Sequence, residues 1–227
     1  TVVFVPDGAL YVSVGSSCNV CRESDKRRAA VLRYNADGSG ERIFASGLRN
    51  AVGLAFQPGT GALWATVNER DWRGDDVPPE MITEVRDGAF YGWPDCLTVG
   101  GKAISDDRFE KGARCDRVTP PTVEIQAHSA PMGLVFYTGT QFPAEYRGSL
   151  FVAYRGSWNR TVPTGYKVVR VRFRDGKPAG VEDFATGWLD GASAWGRPVD
   201  LIVGRDGALY LSDQGAGRIY RISHRTS

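Results

Sequence analysis

The sequence predicts an all-β protein of the β-propeller type. Three observations predict it: a recurring turn-plus-strand phrase, an abundance of glycine and aromatic residues, and the lack of any long amphipathic helical pattern. The phrase Val5-Pro6-Asp7-Gly8-Ala9-Leu10-Tyr11-Val12 is echoed at Gln57–Ala65 and at Gly204–Leu211, with a looser copy at Tyr146–Val152. Leu10, Leu63, Leu150 and Leu209 mark the copies, 53, 87 and 59 residues apart. Repeats of this length, each long enough for several strands, read as propeller blades.

Each copy opens on a turn. Asp-Gly and Gly-Thr-Gly supply the positive φ that tight hairpins need, and an alternating apolar run follows. Further turns stand at Asn35–Gly38, Arg86–Gly88 and Arg174–Gly176. Tyr166–Phe173 alternates apolar and basic residues and reads as a strand with one wet face. The wide gap between the second and third copies is expected to hold another strand group around Ala89–Trp93 and a loop insertion carrying Cys96 and Cys115. Ser24–Leu32 reads as one short helix. The whole chain, 1–227, reads as a single domain.

Composition narrows the function. A net charge of +2 over 227 residues gives no nucleic-acid footprint. No apolar run is long enough to span a membrane. The four cysteines, Cys18, Cys21, Cys96 and Cys115, fit two disulfides and an oxidising compartment, periplasmic or extracellular. Connectivity is not fixed by spacing, and the preferred pairing joins the local neighbours Cys18–Cys21 and Cys96–Cys115. Haem attachment would need histidine after Cys21, where Arg22 stands. A zinc site would need two further ligands at close spacing.

Three segments carry chemistry. In Gly47–Phe56, Arg49 and Asn50 sit between apolar stretches, just before a strand. A guanidinium there could grip a carboxylate with its planar fork, although the pair alone also reads as surface arginine and turn asparagine. Asn68–Asp76 is rich in acids and contains Trp72. Such a loop suits a hard cation or is simply a solvated charged loop. Asp87–Pro94 ends in Tyr-Gly-Trp-Pro.

The order Gly-Leu-Arg-Asn, then Gly-Leu-Ala-Phe, an Asp-Asp loop and Tyr-Gly-Trp-Pro resembles the soluble sugar dehydrogenases that use pyrroloquinoline quinone (PQQ). Ser13–Cys21 and Gly156-Ser157-Trp158-Asn159-Arg160 are similar to the L-sorbosone dehydrogenase branch in particular. The resemblance covers essentially the whole chain. It implies a six-bladed propeller, of which this chain would supply about four blades with the missing ones N-terminal. It also implies PQQ and calcium as cofactors, an aldose or related sugar as substrate, and an external electron acceptor, either a quinone or a cytochrome.

Residue by residue, the resemblance places Arg49, Asn50, His128, Arg155 and Arg197 at the cofactor. It places Asp71, Trp72 and Asp76 at the metal, the first two through backbone carbonyls. Val199 stands where a second arginine would pair with the same carboxylate as Arg197. The histidine that serves the family as general base would fall upstream of Thr1. No catalytic residue is therefore expected within this chain, and the chain alone is expected to be inactive. Two rival readings remain: a metal-dependent sugar lactonase and a non-catalytic propeller that binds a protein or glycan.

Overall fold

The computed structural model describes residues 1–5, 8–109 and 115–225. They form antiparallel sheets and two short 3-10 turns, with no α-helix among them. The first sheet is an up-and-down meander of β1 (Val2–Phe4), β2 (Leu10–Val14), β3 (Ala30–Tyr34) and β4 (Arg42–Ser46). The second begins with β5 (Asn50–Phe56), β6 (Leu63–Asn68) and β7 (Glu80–Val85). A two-stranded hairpin, β8 (Cys96–Val99) and β9 (Lys102–Ser105), then leaves the sheet before β10 (Val123–Ile125) returns to pair with β7. The third sheet runs β11 (Pro131–Phe136), β12 (Leu150–Tyr154), β13 (Lys167–Arg174) and β14 (Lys177–Ala185). A small hairpin, β15 (Leu189–Asp190) with β16 (Ser193–Ala194), leads to a three-stranded sheet of β17 (Pro198–Val203), β18 (Leu209–Asp213) and β19 (Arg218–Ile222).

The marker leucines open β2, β6, β12 and β18, the second strand of each sheet. The physical reason lies in packing. The apolar cores fill the spaces between successive sheets, so the middle strands are covered on both faces. Along β6, Leu63, Ala65 and Val67 pack toward the first sheet while Trp64 packs toward the third. Along β12, Leu150 and Val152 face the second sheet while Phe151 and Ala153 face the fourth. Strands buried on both sides read as unbroken apolar runs rather than strict alternation.

Strands β1, β5, β11 and β17 border a common open cleft of about 390 Å³. The strands converge so tightly there that glycine is required. A Cβ on Gly53 would lie 2.5 Å from the Met132 carbonyl, and one on Gly133 would lie 1.9 Å from Asp200 Oδ1.

Two expectations are corrected. Ala89–Trp93 is not a strand group: Phe90 makes one isolated parallel bridge to Ser46, and the segment leads into the insertion hairpin. Ser24–Leu32 is not a helix. Asp25 accepts from the Arg27 backbone at 3.0 Å and closes a single turn, Ala29 turns to φ +50°, and Ala30 onward joins β3. The expected Tyr166–Phe173 strand is β13, but its basic face is not wet along its first half: Val168 and Arg170 are buried, Arg170 bonding Ser149 and pairing with Glu182. The Pro6-Asp7 turn lies outside the described residues.

Candidate functional site

In an up-and-down meander, the start of the first strand and the end of the second lie at the same end of the sheet. The loops entering β5, β11 and β17 and those leaving β2, β6, β12 and β18 therefore gather at one rim. Arg49 enters β5, His128 precedes β11, and Arg197 precedes β17. Asp71, Trp72 and Asp76 follow β6, and Arg155 follows β12.

The hub of this rim is Asn19, in the loop closed by the Cys18–Cys21 disulfide. Its side-chain amide pairs with both backbone groups of Asp71, accepting from the N–H at 2.8 Å and donating to the carbonyl at 3.0 Å. Its own carbonyl accepts from Arg49 Nε and from Trp93 Nε1, each at 3.1 Å. The second disulfide, Cys96–Cys115, ties the insertion hairpin to the segment after it. Both expected local pairings are thus formed.

Arg49 is fully engaged by the protein. Nη1 donates to the carbonyls of Glu69 at 2.8 Å and Asn68 at 3.4 Å. Nη2 donates to Asn19 Oδ1 at 3.2 Å and Asp71 Oδ2 at 3.4 Å. With Nε on Asn19, every guanidinium N–H has an acceptor. Arg49 therefore contributes a fixed positive charge and organises three loops. Asn50 pairs with Asn68 in the β5–β6 register, and its side-chain amide has no protein partner among the described residues.

His128 is buried, with φ +65°. Its Nε2–H donates to the Gly74 carbonyl at 2.8 Å, which directs Nδ1 toward Asp71 Oδ1 at 3.9 Å. Asp71 Oδ1 also accepts from Asn159 Nδ2 at 2.9 Å. Asn159 Oδ1 is buried and has no partner among the described residues.

Arg155 and Arg197 differ from Arg49. Neither has a carboxylate partner among the described residues. Arg155 donates through Nε to Gln214 Oε1 at 2.9 Å. Arg197 donates weakly to the Gly156 carbonyl at 3.4 Å, and its guanidinium lies 5.1 Å from the Tyr166 ring centre. Burial, and then the like charge of Arg197, hold Arg155 below the usual arginine range. Buried Asp213 fixes the backbone here by accepting from the Arg197 N–H at 2.7 Å.

The proposed metal residues do not converge. Asp76 is 79% exposed and pairs outward with Arg160 at 2.8 Å. Trp72 is exposed, and the Asp71 carbonyl already accepts from Asn19. Among the described residues, the one gathering of three acidic, histidine or cysteine ligand atoms is Cys18, Cys21 and Glu23, and both sulfurs belong to the disulfide. Two hard oxygens lie close together, the Asp71 carboxylate and the buried Oδ1 of the Asn159 that donates to it.

Beneath the rim lie two buried carboxyls, Glu69 and Glu80, 5% and 4% exposed. Glu80 accepts from the Glu69 N–H at 2.8 Å, whereas the Glu69 carboxyl has no hydrogen-bond partner among the described residues. Burial pushes Glu69 up to about 7 and Glu80 up to about 8. Arg70 and Asp106 form an ion pair of 2.6 Å beside them, 4% and 0% exposed, which anchors the loop after β6 to the insertion.

Sequence reasoning missed Asn19, Asn159, Arg160 and Gln214 as parts of this rim. The signals available were that Asn159 and Arg160 fall within the Gly-Ser-Trp-Asn-Arg motif and Asn19 within Ser13–Cys21.

No described helix is long and apolar enough to cross a membrane. An uncharacterised protein of Borreliella burgdorferi is 35% identical over 220 residues, which cover 94% of this chain and 56% of that protein. The pyrroloquinoline quinone-dependent pyranose dehydrogenase of Coprinopsis cinerea is 27% identical over 275 residues, 93% of this chain and 37% of that one. The calcium structure of the Trichoderma reesei AA12 enzyme superposes with a TM-score of 0.82 at 22% identity, covering 96% of this chain and 66% of that one, and shares its fold. The chain spans about half the length of the first curated relatives it matches. The model of the TrAA12-like family matches residues 5–225, and the chain belongs to that family.

Proposed function

We propose that this chain is part of a sugar dehydrogenase that binds PQQ and oxidises an aldose. The observation that carries the reading is the pair Arg155 and Arg197: two adjacent guanidiniums at the rim, both without a carboxylate among the described residues. Such a pair is costly unless an anion joins it. PQQ carries three carboxylates, and arginine matches a carboxylate with its planar fork. The pyranose dehydrogenase of Coprinopsis cinerea, a relative across 93% of the chain, is itself PQQ-dependent.

When bound, PQQ supplies the two-electron acceptor for a sugar whose anomeric carbon gives up a hydride. Arg155 and Arg197 would hold its carboxylates. Arg49, with its donors taken, adds a fixed positive field, and Asn50 offers a free amide. His128 holds the Gly74 turn through its carbonyl and keeps Asp71 in place. Calcium, where bound, would rest on the Asp71 carboxylate and the partnerless Asn159 Oδ1, not on Asp76. The proton of the anomeric hydroxyl would pass to a histidine upstream of Thr1. General-base help of this kind is typically worth about 10²–10⁴-fold. The reading extends to a single six-bladed propeller domain, about four blades of which lie here. It also extends to a periplasmic or secreted location, for which the two disulfides speak, and to kinship with the sorbosone branch.

The test is to add PQQ, calcium and an aldose to the full-length protein and to residues 1–227, following cofactor absorbance and dye reduction. Saturable uptake with dye reduction by the full-length protein alone is the expected result. No uptake by the full-length protein would overturn the reading in favour of a non-catalytic propeller.

A further inference from the structure

Two large aromatic side chains stand open at the mouth of this rim. Trp72 is 69% exposed and Trp158 is 60% exposed. They come from the loops after β6 and β12, and their rings meet edge to face, 5.1 Å between centres at 86°. Each is the chain neighbour of a rim residue: Trp72 follows Asp71, Trp158 precedes Asn159, and Asn159 donates to Asp71. The aromatic pair is thus the outer end of a bridge whose inner end faces Arg49 and His128.

The arrangement does not serve the core. Trp72 has φ +68°, which a bulky residue rarely adopts. Neither indole N–H has a protein acceptor, and no guanidinium lies over either ring among the described residues. Trp195 shows the contrast. It is also exposed, yet its Nε1 donates to the Gly187 carbonyl at 2.7 Å and its ring leans on Trp188.

Perpendicular rings make a corner with an apolar wall on each side and two unused N–H donors. A pyranose matches that chemistry: its C–H face lies against an indole ring, and its hydroxyls accept from indole N–H. Among the described residues no guanidinium lies over either ring, which leaves both faces to a neutral ligand. We propose that Trp72 and Trp158 form a saccharide-binding corner that takes the C–H face of a neutral pyranose ring at the entrance to the site. The ligand class rests on the sugar dehydrogenase reading; the binding itself does not require PQQ.

Methyl β-D-glucopyranoside has no free anomeric hydroxyl, cannot be oxidised at that carbon, and so reports binding alone. It is titrated into the cofactor-free full-length protein while the tryptophan indole N–H resonances are followed. The corner predicts saturable shifts of the Trp72 and Trp158 signals. In Trp158→Ala the apparent Kd rises about two- to tenfold, the scale of one aromatic contact, and Trp158→Phe retains most of the affinity. Both side chains are exposed, so the variants are expected to keep the fold, as circular dichroism would verify. Absence of a saturable response in the wild type, or an unchanged Kd in the Trp72→Ala/Trp158→Ala double variant, would overturn the assignment. PQQ uptake by the wild-type protein, measured in parallel, separates this outcome from failure of the cofactor reading.

Discussion

Asn159 donates through Nδ2 to Asp71 Oδ1 at 2.9 Å, joining loops from neighbouring sheets 88 positions apart in the chain. The other Asp71 oxygen accepts from Arg49, and both Asp71 backbone groups are held by Asn19. One aspartate thereby connects the loops after β2, β6 and β12 and the entry to β5.

Removing that carboxylate strips Arg49 and Asn159 of an acceptor each. Asp71→Ala is expected to lower stability by about 1–3 kcal/mol, the scale of a part-buried charged acceptor removed from its donors. Asp71→Asn keeps one acceptor oxygen and should lose less. Equilibrium urea unfolding of the two variants checks the order.

The buried carboxyls predict an unusual pH dependence. An ordinary glutamate titrates near 4.5, whereas burial holds Glu69 and Glu80 protonated up to about 7 and about 8. The folded state therefore binds more protons than the unfolded chain between pH 4.5 and 8. Their contribution to stability is fully present below pH 4.5 and falls as pH rises through that window. Glu69→Gln and Glu80→Gln should each flatten this decline in thermal unfolding measured at a series of pH values. A decline of the same steepness in the double variant would assign it to other groups.

Arg70 and Asp106 are both buried. Truncating one partner strands a charge, so Arg70→Ala is expected to cost about 3–5 kcal/mol. Asp107, the second and mostly exposed partner of Arg70, should matter much less: Asp107→Ala is expected to fall below about 1 kcal/mol. Differential scanning calorimetry distinguishes the two positions.

The fold was legible where strand burial leaves a local signature. Leu63-Trp64-Ala65-Thr66-Val67 and Leu150-Phe151-Val152-Ala153-Tyr154 are almost entirely apolar because both faces are covered, and each follows a turn; the exception, Thr66, is buried with its hydroxyl bonded to Gly53 and Met132. Ala89–Trp93 misled because its apolar residues serve one crossing of Ser46 instead of a ladder. Ser24–Leu32 misled because the Asp25–Arg27 pair stops the turn and β2 claims Ala30–Leu32. At the rim, arginines and acids announced themselves by charge. Asn19 and Asn159 did not, since an amide that completes a distant loop's backbone or carboxylate looks like any turn asparagine. Their partners lie 52 and 88 residues away. Asp76, which the resemblance put at the metal, pairs with Arg160 at the exposed end of its loop.

The central claim is that Arg155 and Arg197 form the anion grip of a PQQ site. It is tested most directly by titrating PQQ into the full-length protein and its Arg155→Ala/Arg197→Ala variant and following the cofactor's absorbance. The account predicts saturable uptake by the wild type that weakens as salt is raised. It predicts a loss of affinity of about tenfold or more in the variant, the scale of one charged hydrogen bond removed, with the unfolding temperature preserved. Equal PQQ affinity in the two proteins would contradict it.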